Sequence, residues 1–135
     1  MKKILEKYQD HAWLVFRVIF GAIFTIHGLQ KFGVFGGTPL TPAAGLFFLA
    51  GIFEIIVGPL IILGLATRIA AIFGAVEMAV AIVQVHWKYN PIANWNPLGP
   101  TGGEPAWMNL AAFIALAAYG AGKWALDQKV LKDWA

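Results

Sequence analysis

A chain of 135 residues with only 13% charged and 59% hydrophobic side chains, and a mean hydropathy of +0.69, cannot cover itself with a water-compatible surface; a soluble domain carries about 25% charged residues. The net charge of +3 comes from basic residues at the ends of apolar runs, not from a patch interleaved with aromatics, so nucleic acid is excluded as a partner and the lipid bilayer is the expected one. Cysteine is absent, which removes thiol–disulfide exchange, thiolate metal sites and iron–sulfur ligation through the chain's own sulfurs.

A transmembrane helix needs about 20 mostly apolar residues. Four segments qualify in chain order: residues 12–32, 43–65, 69–87 and 106–122. They predict an all-α integral membrane four-helix bundle forming a single transmembrane domain over residues 1–135. The first segment contains Arg17 and has no small-residue cleavage site, so it reads as a retained anchor rather than a signal peptide. Paired glycines and prolines between Gly33 and Pro42 end the first helix and start the second, and Ala66-Thr67-Arg68 forms a tight turn. The long loop 88–105 carries turn signals at Asn90-Pro91, Asn96-Pro97, Gly99-Pro100 and Gly102-Gly103, with Trp95 and Trp107 as interfacial anchors. Lys2, Lys3, Lys7, Arg68, Lys123, Lys129 and Lys132 fall on the side of both termini, against Lys31 and Lys88 opposite. The positive-inside bias therefore places the N and C termini in the cytoplasm.

Ionisable groups within spans cost several kcal/mol unless paired or hydrated, which makes each one a functional candidate. Six stand out: Arg17, His27, Lys31, Glu54, Glu77 and His86. The helical period aligns Arg17, Gly21, Phe24, Gly28 and Lys31 on one face; Glu54 shares a stripe with Gly51 and Gly58, and Glu77 one with Gly74, Ala81 and Gln84. Small residues beside a charge imply close helix contact. The expectation is an inner layer in which Arg17 pairs with Glu54 while Glu77 is left without a partner and carries a proton. Lys31, His27 and His86 form an outer layer suited to a ligand. Catalytic roles therefore fall to Glu54, Glu77 and Arg17, and cofactor contacts to His27, Lys31 and His86. The two histidines at similar depth could ligate a haem, but no further haem cue accompanies them, and no metal-ligand set is visible.

Several motifs in order resemble the DoxX-like family of small four-helix bacterial membrane proteins. They are Arg17 followed by His27-Gly28-Leu29-Gln30-Lys31-Phe32; Glu54-x-x-x-Gly58-x-Leu60 running into Gly64-Leu65-Ala66-Thr67-Arg68; His86 at the end of the third helix; Asn109 in the fourth; and Gly120-Ala121-Gly122 with Ala125-Leu126-Asp127. Ala121 and Ala125 depart from the proline and serine often found in that ending. The resemblance implies a multi-pass protein of the bacterial inner membrane. It also implies a subunit of a quinone-linked oxidoreductase, similar to a thiosulfate:quinone oxidoreductase subunit, rather than a complete enzyme, with a quinone as the cofactor or substrate. A larger membrane complex or a homo-oligomer would supply the partners. Two other functions compete: a non-catalytic assembly subunit whose buried charges only set packing, and a carrier of a small solute or proton.

Overall fold

The computed structural model describes residues 2–99 and 102–130, so Pro100 of the loop and Lys132 of the terminal basic set lie outside the described residues. Helices α1 (Lys2–Lys31), α2 (Leu46–Leu63), α3 (Thr67–Ala81) and α5 (Glu104–Tyr119) are the long elements. One-turn helices α4 (Pro91–Asn94) and α6 (Asp127–Val130) flank α5, and no strand occurs among the described residues.

Among the described residues, three segments are long and apolar enough to cross a membrane: Glu6–Lys31, Leu46–Leu63 and Thr67–His86. The fourth long helix, α5, has 16 residues, about 24 Å at 1.5 Å per residue against a hydrocarbon core of about 30 Å. Its boundaries differ from the apolar run 106–122, because Gly120 at φ 75° and Gly122 at φ 71° turn the backbone out of the helical region. At the other end of the chain, α1 extends ten residues ahead of the predicted start at residue 12, as a polar helical leader. The second helix starts late because a 3₁₀ turn at Pro42–Ala44 and Gly45 precede it. The third ends in a π turn at Ile82–His86, in which Trp87 N–H donates to the Ile82 carbonyl at 2.7 Å.

Two close pairs build the bundle, α1 with α2 and α3 with α5. Glycine sets the first. A Cβ on Gly28 would lie 2.8 Å from the Ile55 nitrogen, and one on Gly21 2.7 Å from the Gly58 carbonyl oxygen, so both positions require backbone contact. In the second pair Phe113 of α5 lies over Gly74 of α3 and meets Phe20 and Phe24 of α1 edge-on, each at 4.9 Å between centroids. These rings, with Ile61, Ala71 and Leu116, fill the centre of the molecule.

Candidate functional site: a pocket between α2 and α3

The antiparallel register of α1 and α2 decides which charges meet. Gly28 packs beside Glu54, so Lys31, one turn further along α1, reaches the same level. Its ammonium Nζ donates to Glu54 Oε2 at 2.6 Å. Glu54 is 3% exposed, whereas the Lys31 side chain retains 28% exposure. The predicted Arg17–Glu54 pair does not form. Eleven residues separate Arg17 from Gly28, about 16 Å along the helix, which sets Arg17 beside Gly64 at the C-terminal end of α2. There its guanidinium donates to the carbonyl oxygens of Ala121 and, at 3.1 Å, Trp124.

Glu54, Lys31 and Glu77 converge on a cavity of about 450 Å³ between α2 and α3, which Gln84 and His86 of the π turn also line. Both carboxylate oxygens of Glu77 are buried without a hydrogen-bond partner among the described residues. With all three groups ionised this end of the pocket would carry one negative charge. Lys31 thus takes the place beside Glu54 that was expected of Arg17. The remaining wall is apolar, including Phe53, Phe73, Val76 and Val80. Phe47, Phe73 and Val76 at the mouth are 52%, 59% and 57% exposed, so the cavity opens sideways on the apolar flank of α2 and α3.

The structure thus brings together Lys31, Glu54, Glu77 and His86 and separates them from Arg17 and His27. His27, half-buried on α1, does not line the cavity, so the two histidines do not face one another across it. The π turn was not foreseen. Such turns concentrate at functional sites because the extra backbone residue re-aims the side chains that follow, and this one carries Gln84 and His86 into the lining.

A second polar cluster, at the end holding the termini, also escaped sequence reasoning. Asp127 accepts from the Ala66 N–H at 2.6 Å and the Thr67 N–H at 2.9 Å, capping α3 from some sixty positions away. Arg68 donates to the Ala117 and Ala118 carbonyls at 2.7 Å each, satisfying the last turn of α5. Trp13 Nε1 donates to the Gly120 carbonyl at 3.0 Å. Arg17, Arg68 and Asp127 are therefore engaged with backbone groups and hold the segment after α5 in place.

The DoxX family model matches residues 12–87, which contain α2, α3, α1 from Ala12 onward and every residue of the pocket lining. An uncharacterized protein of Haemophilus influenzae is 35% identical over 95% of this chain and 97% of its own. An uncharacterized membrane protein of Mycobacterium tuberculosis is 30% identical over 96% and 88%. A Bacillus subtilis protein named "Putative oxidoreductase CatD" is 35% identical over 95% and 93%. No solved structure matches the chain. With the family model spanning more than half of the residues and these relatives aligned over nearly the full length, the chain is a membrane protein that belongs to the DoxX family.

Proposed function

We propose that the protein is a multi-pass component of the bacterial inner membrane that serves an oxidoreductase system by binding a quinone in the pocket between α2 and α3. One observation carries the reading: a buried, unpartnered carboxyl, Glu77, beside the Lys31–Glu54 ion pair, at the polar end of an otherwise apolar cavity that opens on the flank of two spans. A lipid-soluble ring needs an apolar slot reached from the bilayer, with groups at one end that exchange hydrogen bonds and protons with its oxygens. The Bacillus subtilis relative's name points to redox work. Electrons would come from a partner chain, since no side chain of the pocket carries them.

In this reading α5 makes a fourth crossing. It runs antiparallel to α3 over the same depth, with Gly103 against His86 at one end and Ala117 bonded to Arg68 at the other. Both termini then lie in the cytoplasm, where Lys7, Arg68, Lys123 and Lys129 follow the positive-inside bias. The pure assembly-subunit reading accounts for Arg17, Arg68 and Asp127 but leaves Glu77 without a structural reason.

Membranes carrying the chain together with its partners should oxidise thiosulfate in a quinone-dependent manner, and Glu54→Gln should lower that rate by at least about tenfold, the scale of one lost acid–base contribution. A rate unchanged by Glu54→Gln, or insensitive to added quinone, would reject the proposal.

A further inference from the structure

Taking the pocket as a quinone site, we propose that it binds the reduced, hydroxyl-bearing form of the ring more tightly than the carbonyl-bearing form. The argument is one of matching donors to acceptors. Both oxygens of Glu77 are buried acceptors with no donor among the described residues. Lys31, on the same cavity, donates one hydrogen bond to Glu54 Oε2, and an ammonium has three N–H donors. A ring hydroxyl fits both neighbours, because its oxygen accepts from Lys31 while its O–H donates to Glu77.

A ring carbonyl offers lone pairs alone. It suits Lys31, yet it sets acceptor against acceptor at Glu77 unless that carboxyl first takes up a proton. A hydroxyl is satisfied in either state of Glu77: it donates to the carboxylate, or it exchanges one donated and one accepted bond with the carboxylic acid. Binding of the carbonyl form therefore requires a proton on Glu77 and weakens as pH rises, and binding of the hydroxyl form does not. The titratable and charged groups facing Glu77 are Lys31 from α1, Glu54 from α2 and His86 from the π turn, while α5 adds none to the lining.

The apolar wall fixes the rest of the ligand. Phe53 and Val80 line the cavity, and its mouth lies among exposed Phe47, Phe73 and Val76 on the flank of the spans. The ligand is thus an amphiphile whose hydroxylated ring lies at Lys31 and Glu77 and whose hydrocarbon tail leaves toward the bilayer.

An unmatched buried acceptor is worth about tenfold or more in affinity. Preferential binding of the reduced form would raise the midpoint potential of the bound ring, by about 30 mV for each tenfold of preference in a two-electron couple. The test uses the full chain in lipid nanodiscs with decyl-ubiquinone and its chemically reduced quinol, measuring both dissociation constants by equilibrium dialysis at pH 6 and pH 8. The expected result is a quinol Kd at least about tenfold below the quinone Kd at pH 8, with a narrower gap at pH 6. In Glu77→Gln, whose amide both donates and accepts, the ratio should move toward one and lose its pH dependence. Equal affinities in the unmodified protein, or a preference for the quinone, would overturn this inference and leave the quinone reading intact. Absence of binding by either form would overturn both. The ratio in the unmodified chain decides the matter even if Glu77→Gln does not fold.

Discussion

Among the individual residues, the Lys31–Glu54 contact has the clearest energetic consequence. Removing one member leaves the other charge poorly solvated. A fully buried pair broken in this way costs about 3–5 kcal/mol; Lys31 keeps 28% exposure, which lowers the expected cost to about 1–3 kcal/mol. Melting temperatures in detergent for Lys31→Met, Glu54→Gln and the double variant should show the double variant more stable than the sum of the single losses. Arg17→Met combined with Glu54→Gln should instead be additive, since Arg17 lies at the Gly64 end of α2, Glu54 lies near its middle, and the two share no hydrogen-bond partner. A coupling between Arg17 and Glu54 as large as that between Lys31 and Glu54 would contradict the register described above. Which ionisable residues lie within the apolar runs was legible in the sequence. Which charges meet was not, because pairing depends on how far α2 slides against α1, and that slide is set by interlocking backbone at Gly21, Gly28 and Gly58.

At the level of elements, the helix ends are tied together across long stretches of chain. Asp127 fills the role usually played by a local N-cap residue; Ala66, which precedes α3 in a left-handed conformation at φ 51°, has no hydrogen-bonding side chain to offer. Asp127→Ala should therefore destabilise the protein by about 1–2 kcal/mol, the cost of a lost cap, read as a lowered Tm in detergent with the pocket's ligand affinity unchanged. A loss of affinity equal to that of Glu77→Gln would show that the two polar clusters are not independent. Gly64 closes α2 at φ 65°, and a Cβ there would stand 2.6 Å from both Arg17 Nη1 and the Ala125 Cβ. Gly64→Ala combines backbone strain with that clash and should cost about 1–3 kcal/mol, by the same measurement. Apolar runs located these helices, but their ends shifted where a 3₁₀ turn, a π turn or a positive-φ glycine intervened, as at Pro42–Ala44, Ile82–His86 and Gly120.

For the whole molecule, the bundle is two tight helix pairs with a looser seam between α2 and α3, and the pocket lies in that seam. Tight pairs hold the polar end rigid while the seam leaves space for a ligand, which is the preorganisation a binding site needs. The proposed topology predicts that a cytoplasmic reporter fused after Val130 is active and a periplasmic one silent. Fusions within the loop 88–99 should show the reverse. Cytoplasmic signal from the loop would invert the orientation inferred from charge, without altering the pocket.

Composition and the lengths of the apolar runs determined that this is a helical membrane protein, because hydrocarbon admits few charges and demands internally satisfied backbone. The positions of Glu54, Glu77, Lys31 and His86 along those runs marked them as candidates, together with Arg17 and His27, which do not line the pocket. Only tertiary structure decided that Lys31 rather than Arg17 answers Glu54, that Asp127 caps α3, and that Glu77 is left facing a cavity. The physical reason is the same in each case. The extent of a span is a property of its own sequence, whereas partnership depends on the register and rotation of two helices together, and those are settled by close packing at a few glycines and one phenylalanine whose partners on the facing helix no local pattern names.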